Sequence, residues 1–191
     1  PFAGRKFHKS ISFDGQMWVV GGVVTDPDTK LDKRVNDVWS SVDGKSWVRR
    51  SFNAQFSASG SLRSLVVFDG KMFLFGGGGV WESENGIFWK EVTVAPSTAN
   101  FGGQIVVHAE KLWAVSIVGG QGVVLSSNNG TTWTEHAVSS PFTQRGGFSL
   151  ISYNGRLWVT SGTNSASKIN WSKLNDVWSS TDGTDWELET E

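Results

Sequence analysis

NDVWSSVDGKSW, Asn36 to Trp47, returns almost letter for letter as NDVWSSTDGTDW, Asn175 to Trp186. Phasing on the turn glycine brings in two weaker copies, GGVWESENGIFW (Gly78 to Trp89) and GVVLSSNNGTTW (Gly122 to Trp133). The closing tryptophans Trp47, Trp89, Trp133 and Trp186 lie 42, 44 and 53 residues apart. Such a period belongs to solenoids and propellers. Each copy reads as two short strands and a tight turn: Val38 to Ser41, a turn at Asp43-Gly44, then a strand beginning at Ser46. Asp43, Asn85, Asn129 and Asp182 precede the turn glycine, where a short side chain hydrogen-bonds the amides that follow and serves the fold, not catalysis.

Upstream of each copy lies a second hairpin. KSISFDGQMWVVGG (Lys9 to Gly22), RSLVVFDGKMFLFGG (Arg63 to Gly77), QIVVHAEKLWAV (Gln104 to Val115) and FSLISYNGRLWVTSG (Phe148 to Gly162) share an apolar run, a turn and a second apolar run. The third departs, with Ala109-Glu110 in its turn and Ser116-Ile117 where others have Gly-Gly or Ser-Gly. Each repeat therefore has four strands, A to D, without a helical period, and its apolar A and B runs are expected to be buried on both faces.

The expected fold is all-β: a β-propeller of four four-stranded antiparallel blades, spanning approximately 1–52, 53–95, 96–139 and 140–191 of one domain. A closed four-bladed ring and half of a larger ring completed by a second copy both suit four complete repeats, and light scattering separates them. Ten of the eleven tryptophans fit the repeat as inter-blade packing: Trp18, Trp113 and Trp158 on strand B, Trp39, Trp81 and Trp178 on strand C, and the four closing ones on strand D. Trp171 has no counterpart.

The diglycines Gly21-Gly22 and Gly76-Gly77 and the strand-D tryptophans resemble kelch repeats, and the C–D turn resembles a shortened Asp-box of sialidase-like propellers. The resemblance covers the whole chain and implies a fold without an activity. Galactose oxidase, a kelch-type propeller, relies on a Cys–Tyr crosslink, and this chain has no Cys and one Tyr, Tyr153. A sialidase's arginine cluster works with a paired Tyr/Glu nucleophile, and Arg5, Arg63, Arg145 and Arg156 lack that tyrosine. Neither catalytic set is expected here.

A net charge of −1 gives no footprint for nucleic acid, but residues 1–50 hold nine Lys/Arg against six Asp/Glu while residues 51–191 hold eight against twelve. The lack of cysteine removes disulfides and thiolate ligands. No stretch has the length of a membrane span, and a soluble chain, secreted or at the cell surface, is the favoured setting. His8, His108 and His136 have no metal-ligand spacing, no cofactor is implied, and Asp26, Asp28 and Asp32 lack the Gly and Glu of a calcium loop.

Function is expected on loops. The B–C connections Val23 to Val35 and Thr163 to Leu174 are long and, in a kelch-like topology, share a face; they offer Lys33, Arg34, Lys168, Trp171 and Lys173. Arg5, His8 and Arg145 complete the candidate set, His8 because RKFH precedes strand A and would face the mouth of a central channel. The expected function is non-catalytic recognition of a protein or glycan through this face. The alternatives are part of a larger propeller, as scaffold or in an enzyme, and a lectin with one sugar site per blade.

Overall fold

The computed structural model describes residues 2–60, 62–96, 101, 103–118, 121–137, 145–164 and 172–190. It divides into two compact units, Pro1–Thr93 and Val94–Glu191. The first carries β1 (Arg5–Lys6), β2 (Lys9–Phe13), β3 (Gln16–Thr25), β4 (Asp32–Ser41) and β5 (Val48–Ser51), then β6 (Ser64–Phe68), β7 (Lys71–Gly76), β8 (Gly79–Ser83) and β9 (Lys90–Glu91). The second carries β10 (Ile105–His108), β11 (Lys111–Val118), β12 (Gln121–Ser127) and β13 (Trp133–His136), then β14 (Arg145–Gly146), β15 (Ser149–Tyr153), β16 (Arg156–Asn164), β17 (Ser172–Ser180) and β18 (Glu187–Thr190). Every sheet is an antiparallel meander of sequential neighbours, and β1 with β2, like β14 with β15, form one interrupted edge strand.

The A–B hairpins close as expected. Asp14-Gly15, Asp69-Gly70 and Asn154-Gly155 have positive φ at both residues, the two-residue turn that matches strand twist. Ala109 and Glu110 take the same turn at φ 46 and 58, without the residues that favour it.

The C–D connection is wider than the two-residue turn the sequence suggested. β4 ends at Ser41 and β5 starts at Val48, and only Gly44, at φ 72, is left-handed in the turn between them. Asp43 Oδ1 accepts from the amides of Lys45 and Ser46 at 2.8 and 2.7 Å, and Ser41 Oγ accepts from Gly44 N at 2.9 Å. The side chains thus replace strand pairing with a local turn. Trp47 Nε1 then donates to Gly44 O at 3.0 Å. The network recurs at Ser83-Asn85-Gly86-Trp89, Ser127-Asn129-Gly130-Trp133 and Ser180-Asp182-Gly183-Trp186.

Two of these turns, at Gly86 and Gly183, seat on tryptophans of a neighbouring sheet. A Cβ on Gly86 would come within 2.4 Å of the Trp18 ring, and one on Gly183 within 2.1 Å of Trp113, so glycine is required by contact as well as by φ. Trp18 and Trp89 belong to one core with Val20, Val38, Phe56 and Met72. In the second unit Trp113 packs with Val115, Val124, Leu150 and Leu157. Two of the A strands differ from expectation: β2 alternates half-buried Ile11 and Phe13 with exposed Ser10 and Ser12, and β15 exposes Ile151 to Tyr153, so only one face of each meets the core, whereas β6 is buried on both faces as expected.

Candidate functional site

The Gly-Gly after Val20 sets the shape of the first sheet's upper part. The β3–β4 register shifts between Val20 and Gly22, and a Cβ on Gly22, at φ 110, would come within 2.8 Å of Lys6 O. The bulge turns β3 so that its continuation pairs β1, Arg5 opposite Val24 and Lys6 opposite Val23. The connection expected as a loop from Val23 to Val35 is therefore strand, with Val24 opposite Lys33 and Thr25 opposite Asp32. Only Asp26 to Leu31 turn. Asp26 closes that turn, its Oδ1 accepting from Asp28 and Thr29 N at 3.0 Å each, and these amides hold its carboxyl below the usual range. The fourth sheet repeats this design, with Thr163 opposite Lys173 and Asn164 opposite Ser172.

Under each long hairpin lies an arginine locked to an aspartate. Arg5 Nη1 and Nη2 reach the Asp37 carboxylate at 2.8 and 3.1 Å, and Arg5 Nη1 also donates to Gly21 O at 2.9 Å. Trp39 Nε1 donates to Asp37 Oδ2 at 2.7 Å. Burial pushes the Asp37 carboxyl up, but the hydrogen bonds from Arg5 and Trp39 outweigh it and hold it low. Arg145, Asp176, Trp178 and Ser161 O reproduce the arrangement, and the Arg145 hydrogen bond is the main cause that lowers Asp176. The Arg5 side chain is 2% exposed, as is that of Arg145. Both candidate arginines thus face internal carboxylates, and Asp37 and Asp176, the residues that engage them, stand inside the NDVW repeat.

Side chains of the first hairpin line two clefts, and Arg34 borders both. One, of about 350 Å³, is lined by Arg5, Lys33, Val35, Trp39, Arg49 and Phe52 among others. The other, of about 610 Å³, is lined by Lys6, Phe7, Val23, Asp32, Arg34 and Gly60. Arg49 lies with its guanidinium carbon 4.5 Å from the ring centroids of both Trp39 and Phe52, a cation held between aromatic faces. Among the described residues Lys33, Arg34 and Arg49 form no salt bridge. Lys6 pairs Asp32 at 2.8 Å in the open. Phe7, 63% exposed, holds φ 58 where the fourth sheet has Gly147 at φ 66. A bulky residue at such an angle is strained.

The structure therefore gathers Lys33, Arg34 and Arg5 around one hairpin. His8 lies at its foot, half-buried, with Nδ1 shielded and unpartnered among the described residues; burial first, then Arg5 and Lys9, lower its pKa. Lys173 is exposed on β17 in the second unit. Lys168 and Trp171 lie outside the described residues. Sequence reading missed Arg49, Phe52 and Phe7. Arg49 read as an ordinary strand-D residue and nothing in the repeat singled out Phe52, whereas KFH against GGF offered a signal for Phe7.

A separate cleft of about 380 Å³ in the second unit holds Lys111, Ser126, Asn129, Thr134 and His136. His136 stacks on Trp113 at 5.1 Å and shares a 2.8 Å hydrogen bond with Ser126, and burial and then Lys111 lower its pKa. Among the described residues no cluster of three or more His, Cys, Asp or Glu could hold a metal ion, and no helix is long and apolar enough to cross a membrane.

Sequential four-stranded antiparallel meanders, repeated along the chain with a shared turn, define a β-propeller. The chain belongs to the DUF6242 beta propeller domain family, which matches residues 1–101. Among solved structures it is similar to one described as "Structure of YjhT", with a TM-score of 0.75 and 18% identity over 98% of this chain and 71% of that one. That likeness speaks for the fold alone. No curated protein matches the chain.

Proposed function

We propose that this chain is a non-catalytic binding domain that recognises an anionic partner on the hairpin of its first blade. The repeats are read as kelch-like blades with shortened Asp-box turns, a frame that holds the hairpin still. The observation that carries the reading is the Arg49 guanidinium stacked between Trp39 and 79%-exposed Phe52, with Lys33 and Arg34 unpaired beside it among the described residues. Stacking restricts Arg49 before a ligand arrives, so less side-chain freedom is lost on binding. Arg5 and Asp37 cancel each other's charge and act as the support beneath.

Calorimetric titration with an acetylated, amidated hexaglutamate and, separately, a heparin-derived hexasaccharide tests this. Binding of either probe should weaken with salt and fall at least about tenfold in Lys33→Glu and in Arg49→Glu, with melting temperatures unchanged. Undiminished binding in both variants contradicts the assignment. A second reading, that these blades are part of a larger ring, draws on the chain spanning 71% of its solved relative. A lectin with equivalent sites per blade is disfavoured because Arg49, Phe52 and Phe7 are not repeated.

A further inference from the structure

We propose that the outer edge of β4, from Asp32 to Val35, accepts an extended acidic peptide as an added strand; this rests on the first blade being the ligand seat. β5 stops at Ser51, opposite Val38, while β4 continues to Asp32 in register with β3. The far side of β3 is covered there by β1. Among the described residues no strand lies along the outer side of β4 between Asp32 and Val35. Backbone N–H and C=O groups at such an edge alternate outward and await a partner.

The vacant stretch has a defined end. At Asn36 the edge is occupied: its carbonyl accepts from Ala54 N at 3.0 Å, and its Nδ2 donates to Ala54 O and Phe56 O at 2.8 and 2.9 Å. Beyond it, four residues at about 3.3 Å each offer about 13 Å of edge, enough for a short segment. Lysine on an edge ordinarily discourages promiscuous pairing. Toward an acidic strand the same charge becomes attraction, so Lys33 and Arg34 make the edge selective.

The pleat extends the selectivity. An added strand would point alternate side chains to the two faces of the hairpin. One cleft is lined by Lys33, Arg34 and Arg49 with Phe52, and the other by Arg34 and Lys6 with Phe7. Cations outnumber carboxylates in both, Arg5, Lys33, Arg34 and Arg49 against Asp26 and Asp37 in the first and Lys6 and Arg34 against Asp32 in the second, so acidic residues are favoured on either side. In the fourth blade, among the described residues, β18 pairs β17 from Val177 onward, and Lys173 stands where Arg34 stands relative to the repeated asparagine. There Leu188 takes the strand-D place of Arg49, so the cation stacked on the strand-C tryptophan is not repeated.

The test compares hexaglutamate with a hexaglutamate methylated at every peptide nitrogen, which keeps the charge and removes the donors. Strand addition predicts that methylation weakens binding about tenfold or more, the loss of about two net hydrogen bonds. It also predicts that unmodified peptide slows hydrogen exchange at outward amides between Asp32 and Val35. Equal affinity of the two peptides, with exchange at that edge unchanged, overturns strand addition and leaves the cationic seat intact. If the heparin hexasaccharide binds and neither peptide does, the seat stands and the peptide inference fails. Should no probe bind, the seat itself is wrong.

Discussion

Gly44 and Gly183 occupy the same place in the repeated turn, with φ of 72 and 78, yet their surroundings differ. A Cβ on Gly44 meets only the flexible Met17 Cε at 3.1 Å, whereas one on Gly183 lands on the Trp113 ring. Gly44→Ala should cost about 1 kcal/mol, the price of a left-handed alanine, and Gly183→Ala more than about 3 kcal/mol, because an indole in a packed core must move. Urea denaturation of the two variants checks the difference; equal costs would mean that the turn does not seat on Trp113. The turn carboxylates add a pH dependence. Backbone amides of the following residues bring Asp43 and Asp182 down to about 2. A folded pKa below the unfolded value gives stability present above the unfolded pKa and lost as pH falls through the folded one, here from about 4 toward 2. Asn85 and Asn129 make the same bonds without titrating. The double variant Asp43→Asn, Asp182→Asn should therefore lose less melting temperature between pH 4 and pH 2 than the parent, and an identical loss would contradict the linkage. Phe7→Gly should stabilise the fold by about 1 kcal/mol in the same denaturation experiment while weakening hexaglutamate binding, since it relieves a strained φ and removes an exposed ring.

The elements follow local chemistry where the sequence was plain. Asp14-Gly15 and Asn154-Gly155 were legible as hairpin turns because few residues tolerate two successive positive φ values. Ala109-Glu110 adopts that turn because β10 and β11 are held on either side, from Ile105 opposite Ala114 to His108 opposite Lys111. Replacing the pair by Asn-Gly should raise stability by about 1 kcal/mol, measured by thermal and urea melts, and a destabilised variant would mean that the native turn makes contacts not accounted for. The long B–C connection was not legible as strand. DPDTKLDKR has no apolar alternation, and its extension is imposed from outside, by β1 pairing β3 and by Asp26 tying the tip. Ser116-Ile117, the place without a glycine pair, shows the complement: β11 and β12 pair without a register shift.

Across the molecule the repeats share what stabilises them and differ where partners are proposed to bind. The Ser, Asp or Asn, Gly and Trp of each turn recur in all four blades and were visible in the letters. The site was only half visible. Lys33 and Arg34 were legible as cations in an unusually long connection, while Arg49 became notable only when its guanidinium was seen between Trp39 and Phe52. Arg5 and Arg145 looked equally available in sequence, and only the fold revealed Asp37 and Asp176 beneath them. The claim that the first blade is the ligand seat is tested most directly by mapping amide chemical shifts of the isotope-labelled chain as hexaglutamate is added. A ligand seat on the first blade requires saturable shifts concentrated in Asp32 to Asn36 and Arg49 to Asn53. Shifts centred instead on Lys111, Ser126 and His136, with those two segments unmoved, would contradict it.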